Sequence, residues 1–148
     1  MAVKRQGKFK NAATKAENGV KRGLVLAADL VAQRATGKAP RDTGRLKRSI
    51  TRGDPKPTGK NRWGIDVGTN VIYAAAQEFG FTGVVTDKQR RFFWAKFADT
   101  GNPMWRALAL STGYTIPAHP YLNPALDESK REIATIILRS VVGALRKK

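Results

Sequence analysis

The stretch NPALDESKREIATIILRSVVGALRKK, residues 123–148, reads as one amphipathic helix and sets the frame for the rest of the chain. Asn123 can cap its first turn through the side-chain oxygen, and Pro124 suits the first helical position, where a missing N–H costs nothing. Asp127 and Glu128 fall near the positive end of the helix dipole, and Arg146, Lys147 and Lys148 near its negative end. Leu126, Ile133, Ile137, Val141 and Leu145 recur at helical spacing and form an apolar stripe that another element must cover.

A helix of matching character lies near the other end of the chain. From about Ala12 to Thr36, the residues Val20, Leu24, Ala27, Val31 and Ala35 fall on one stripe. Gly19 and Gly23 weaken its first half, each by up to about 1 kcal/mol relative to Ala. Gly37 can cap its C-terminus, and Pro40 stops it. Residues 1–10 carry Lys4, Arg5, Lys8 and Lys10 with Gly7 and little to bury, and are expected to form a mobile basic arm.

Between the helices the pattern changes. In APRDTGRLKRSI, residues 39–50, Asp42 and Thr43 can accept backbone N–H bonds and start a short helical turn carrying Arg45, Leu46 and Ile50. Residues 53–60 are a loop by composition. Trp63, Ile65 and Val67 alternate with polar or small residues, as a half-buried strand does, and are expected to pair with a strand near Ser49–Arg52. VIYAAAQEFG, residues 71–80, reads as a strand ending in a helical turn, and Val84–Thr86 as a further strand. Lys88–Ala98 reads as a helix with Phe92, Phe93 and Phe97 apolar, broken by Thr100–Pro103. The sum is an α+β fold: two amphipathic helices packed on one face of a small antiparallel sheet, with an aromatic-rich excursion, in a single domain over 11–148. The uncovered sheet face and edges then need partners.

Charge limits the function classes. Lys and Arg number 28 against 11 Asp and Glu, a net +17. The excess is uneven: residues 1–62 hold 17 basic and 4 acidic residues. Such a field favours a polyanion or an acidic protein surface as partner. No apolar run approaches the roughly 18 residues that cross a bilayer. Met1–Lys10 is not followed by an apolar segment, so no secretory signal is expected. There are no cysteines, which removes disulfides and thiolate chemistry and fits synthesis in a reducing cytoplasm.

Catalytic signatures are missing from the sequence. His119 is the one histidine and reads as a loop residue bonded to backbone. Gly37-Lys38 and Gly59-Lys60 lack the glycine spacing and the following Ser or Thr of a phosphate loop. Asp66, Glu78, Asp87 and Asp99 could meet in space, but nothing singles out a pair. Glu78, among apolar neighbours, reads as a structural partner for Arg45 or Arg48. Phe92, Phe93 and Trp94 beside Arg90 and Arg91 could stack single-stranded bases, or anchor a protein contact together with Trp105. No enzyme activity and no cofactor is expected.

Three blocks in order carry a resemblance. They are APRDTGRLKRSI at 39–50, VIYAAAQEFG at 71–80 and IPAHPYLNPALDESKREI at 116–133. Together they resemble the phage tail-completion or neck (head–tail connector) family grouped around a small tail component of lambda-like phages. They are similar also to virion-morphogenesis proteins of contractile-tailed phages. The matching positions are Pro40, Asp42, Thr43, Gly44, Leu46, Ser49 and Ile50; then Tyr73, Ala74, Glu78, Phe79 and Gly80; then Pro117, Ala118, Pro120 and Leu122. Tyr121 stands where the family usually has Phe, and residues 81–115 look like an insertion.

The resemblance implies a structural virion subunit without catalysis. It implies a homo-oligomeric ring, a hexamer, in contact with a tail terminator, tail tube or connector ring. It also implies a place at the head–tail junction and no membrane. Asp42, Thr43, Gly44, Glu78, Gly80 and Pro120 are then structural. Lys4, Arg5, Lys8, Lys10, Arg41, Arg45, Lys47 and Arg48 are candidate contacts to genomic DNA, without sequence specificity, or to an acidic partner. The alternative from composition alone is a non-enzymatic basic nucleic-acid-binding protein, which would stay small and bind with a steep salt dependence.

Overall fold

The computed structural model describes residues 2–40 and 44–146, residues 2–8 by backbone alone. The chain divides into two compact units, Met1–Ala74 with Pro120–Lys148, and Ala75–His119. The first holds α1 (Ala2–Lys38), α2 (Arg45–Ser49), β1 (Thr51–Arg52), β2 (Lys56–Gly59), β3 (Arg62–Gly64), β4 (Val67–Gly68) and, closing the chain, α6 (Leu122–Arg146). The second holds nearly all of α3 (Ala74–Phe79), then β5 (Phe81–Val84), α4 (Asp87–Thr100), α5 (Pro103–Leu110) and β6 (Gly113–Ile116). The fold is α+β, with small antiparallel strand pairs among helices.

The two long helices run antiparallel along each other. Gly19 lies against Val141 and Ala144, Gly23 against Ile137, and Arg34 reaches Ser129 and Glu132. The glycines set the spacing. A Cβ on Gly19 would come within 2.7 Å of the Val141 Cα, and one on Gly23 within 2.8 Å of the Ile137 Cα. The sequence reads these glycines as weak points, whereas the structure uses them for backbone approach.

Further along, Ala27, Ala28, Val31, Ala35 and Ala39 are buried. Opposite them on α6 the buried residues are Ala125 and Ser129, both 0% exposed. The apolar stripe expected on α6 meets α1 at its middle, where Ile137 and Val141 lie against Gly23 and Gly19, while Leu126 and Leu145 at its ends are 43% and 47% exposed. The most deeply buried positions on α6 are the small Ala125 and Ser129, where the helix pair leaves little room. Ser129 enters this interface satisfied, donating to Ala125 O at 2.7 Å and accepting from Arg34 Nη1 at 2.9 Å.

The basic arm expected at residues 1–10 is, from Ala2 onward, the first part of α1. Apart from Gly7, these residues include good helix formers such as Ala2, Lys4, Arg5, Gln6, Lys8 and Lys10. A missing apolar stripe argues against burial, not against helix. The second compact unit starts at Ala75, before the excursion at 81–115.

The expected strand pairing holds in β1 and β4, with Thr51 opposite Gly68 and Arg52 opposite Val67. The strand expected through Trp63–Val67 is split at Ile65-Asp66 into β3 and β4. The loop expected at 53–60 contains β2, which pairs with β3 in a hairpin. All four residues of β2 are exposed, so the sequence shows no alternation there. Asn61 turns the hairpin at φ 57, in the left-handed region that Asn tolerates. β1, β3 and β4 lie against α1, and Lys21 Nζ sits 3.8 Å from the centroid of the Trp63 ring. No strand forms at 71–80; a turn leads directly into α3.

In the second unit β5 and β6 pair antiparallel from Phe81 opposite Ile116 to Val84 opposite Gly113. The helices α4 and α5 form the connection between them. Thr86 and Gln89 form a reciprocal capping box at the start of α4. Gly101 ends α4 at φ 66, donating its N–H to Phe97 O at 2.8 Å. Asn102 caps α5, with Pro103 at its first turn. Neither α5 nor β6 is legible from periodicity, because each is too short to show one.

Three substitutions test this account. Gly23→Ala should destabilise by about 1–3 kcal/mol through overpacking, although helix propensity alone favours Ala. Gly143→Ala, where an added Cβ meets nothing within 4 Å, should instead stabilise by up to about 1 kcal/mol. Chemical denaturation of both variants gives the two signs. Thr86→Ala should cost about 1 kcal/mol through the lost cap, read as faster amide exchange in the first turn of α4.

Candidate functional site

Among the described residues no group of His, Cys, Asp or Glu could hold a metal ion. His119 is exposed, and its backbone N–H donates to Gln77 O at 2.7 Å. Asp66 pairs with Lys56, and Asp99 lies 4.0 Å from Lys96. Glu78 is buried on α3 at 6% exposed; like Arg45 and Arg48 it makes interactions within the chain. No helix of the described residues is long and apolar enough to cross a membrane. What the molecule offers is surface, held by a framework that the three sequence blocks build.

Those blocks converge. Ala39, Leu46 and Ile50 from the first, Val71 and Ala74 from the second, and Tyr121 and Ala125 from the third share one buried cluster with Ala35 of α1. Ser49 ties the first block to the second strand region, with its Oγ 2.6 Å from Thr69 Oγ1 and donating to Leu46 O. Thr69 Oγ1 in turn accepts the Val71 N–H at 3.1 Å. Gly44 is at φ 71 as the residue before α2, with no side-chain cap bond. Gly80 is at φ 76, where a Cβ would press on Ile116 O at 3.1 Å and Ala118 N at 3.2 Å. Pro120 is exposed where the chain re-enters the first unit. Leu46, Ile50 and Ala74 are thus packing positions and Gly44 and Gly80 turn positions, while Tyr73 and Phe79 are 40% and 72% exposed. Arg41, Asp42 and Thr43, including the expected caps, lie outside the described residues.

The basic residues expected to act together are separated. Lys4, Arg5, Lys8 and Lys10 lie in the first turns of α1, while Arg45, Lys47 and Arg48 lie on α2, past its other end. The helical rise from Lys10 to Lys38 alone is about 42 Å. Lys10, Arg45 and Arg48 are exposed, and Lys47 is half-buried.

The expected aromatic contact set is also divided. Phe93 and Trp105 stack with centroids 5.9 Å apart and are half-buried, binding α4 to α5. Phe92 and Trp94 remain 51% and 39% exposed. Arg90 is turned inward, donating to Ala109 O at 2.6 Å, and does not flank an open stacking platform. Sequence reasoning missed a second open apolar row, Leu138, Val142 and Leu145 on α6. The i, i+4, i+7 spacing was the available signal. It also missed a groove of ≈ 370 Å³ in the first unit, lined by Leu24, Val31, Ile65, Val67 and Leu126 among others.

Residues 5–80, just over half of the chain, match the family model described as "Bacteriophage HK97-gp10, putative tail-component". That span takes in the first two sequence blocks and ends before the third. No curated protein sequence and no solved structure matches the chain. With the first helix, the turn at Gly44 and the packed second block all inside the matched span, the chain belongs to the HK97-gp10-like family of bacteriophage tail components, structural proteins of the virion.

Proposed function

We propose that this tail component is a completion or neck subunit, which forms a homo-oligomeric ring at the head–tail junction and acts by association, not catalysis. The observation that carries the reading is apolar surface left open on regular elements. Leu138, Val142 and Leu145 are 65%, 38% and 47% exposed along one side of α6. Phe92 and Trp94 stand open on α4. Exposed apolar rows of this kind mark contacts with other proteins. A cyclic arrangement covers them without open-ended growth. A hexamer is the stoichiometry the family resemblance favours. The ring's two ends would meet a tail terminator, the tail tube or a connector ring, and its lumen would pass the genome.

Native mass spectrometry of the purified chain should show a closed oligomer, six copies being the expected count. Trp94→Ala should leave the circular dichroism spectrum and melting temperature unchanged. It should weaken assembly by about 30-fold, the scale of a buried aromatic anchor. A chain that stays monomeric at high concentration, with the variant indistinguishable from wild type, would overturn the reading.

A further inference from the structure

The charges of the first unit are partitioned along α1. Toward its C-terminal end the acids are matched: Arg34 with Glu132 at 2.6 Å, Lys38 with Glu128 at 2.7 Å, Arg52 with Asp29 at 2.6 Å. Toward its N-terminal end the balance fails. Before Asp29 the one acidic residue is Glu17, and Lys21 holds it at 2.7 Å. α6 has no acidic residue after Glu132, and its antiparallel course brings Arg139 and Arg146 to this same end. Lys10, Arg22, Arg139 and Arg146 are exposed, and form no ion pair among the described residues.

Within this cationic end one row is ordered. Lys4, Lys8, Asn11, Lys15, Asn18 and Arg22 follow one another at alternating spacings of four and three, which places them along one side of α1. Every member is a cation or an amide. Asn11, Asn18 and Arg22 are exposed. The side of α1 that meets α6 runs through Gly19 and Gly23, and the side that meets β3 runs through Lys21; the row borders the α6 side, where Lys15 is half-buried and lines a shallow pocket with Asn11 and Leu145. The row spans about 27 Å of helix.

This arrangement works against the helix that carries it. The first turn of α1 has no acidic residue, although the dipole there favours anions and disfavours Lys and Arg. The same dipole adds to the positive potential of that end.

We infer that this row lies along the phosphate backbone of duplex DNA. Lysine is depleted at the centre of protein–protein contacts, and the row has no apolar member before Val25. Long cations and amides on a straight helix suit phosphate contact without base reading. Its length matches about eight base-pair steps of phosphate. The inference deepens the ring reading, and rests on it for where the DNA comes from. It also replaces part of the contact set expected from sequence: Arg45, Lys47 and Arg48 are not in the row, and Lys15 and Arg22 are.

The test is fluorescence anisotropy of a labelled mixed-sequence duplex titrated with the full chain across a salt series. The row variant is Lys8→Glu with Lys15→Glu and Arg22→Glu. The control is Lys88→Glu with Arg91→Glu and Arg106→Glu, the same charge change on exposed residues of the second unit. Glutamate has a helix propensity close to that of lysine and arginine, and the three positions avoid the glycines that meet α6, so the row variant should stay folded. The row variant should lose at least tenfold in affinity, and its log–log salt slope should fall by about 3. The control should lose less than threefold.

Equal losses in the two variants would make the effect one of net charge and overturn the assignment. So would a wild-type chain that binds polyglutamate but no duplex, which would indicate an acidic protein partner. Native mass spectrometry on the same samples separates the two proposals. A ring that binds no DNA fails this one alone, and a monomer that binds through the row fails the ring.

Discussion

The close approach of α1 and α6 at Gly19 and Gly23 is the constraint on which the first unit depends. With Cα atoms where side chains would otherwise stand, the helices meet nearly backbone to backbone. At that separation Arg34 spans the interface to Ser129 and Glu132, and Lys38 reaches Glu128. These pairs are partly exposed, so each contributes modestly, within about 1 kcal/mol. Their effect is to fix register, since a shift of one turn would separate them all. The fixed register brings Tyr121 and Ala125 to the cluster that Leu46, Ile50, Val71 and Ala74 build with the end of α1.

This packing shows why the sequence blocks look as they do. Asp-Thr-Gly, Glu-Phe-Gly and the Pro-Ala-x-Pro segment resemble chemical motifs, but the parts the structure describes turn the chain or fill the core. Ser49 bonds to Thr69, Gly80 lets two backbone segments touch, and Leu46 and Tyr121 are buried. A tail component of this family works through what such a framework displays. The first unit displays cations at one end and matched ion pairs at the other. The second is a capped helical hairpin on two strands, with Val85 and Ala109 buried and Phe92 and Trp94 open.

The sequence was most legible where one periodicity ran long. Both long helices were placed from their stripes, and the helix at Asp87–Thr100 within two residues of its ends. The pairing of Thr51-Arg52 with Val67-Gly68 followed from alternation across a loop. Legibility failed where structure arose from contact. Nothing local says that Gly19 and Gly23 face backbone, or that Ala125 and Ser129 are the most deeply buried residues of α6. The exposed hairpin at Lys56–Gly64 has no apolar alternation because it buries little. Residues 2–10 read as an arm because they lack a stripe, although most of them favour helix. For the candidate surfaces, the amount of charge was plain from composition. Its division between an end rich in cross-helix ion pairs and an end with few acids needed the fold.

The most direct test of the account is a cryo-electron microscopy reconstruction of the assembled virion, with density assigned to this chain. The account requires a symmetric collar between head and tail. In it the α1–α6 pair is intact, Leu138, Val142 and Leu145 are covered by a neighbouring chain, and the row from Lys8 to Arg22 faces the DNA channel. A single copy at the distal tail tip, or a collar with that apolar row still open to solvent, would contradict it.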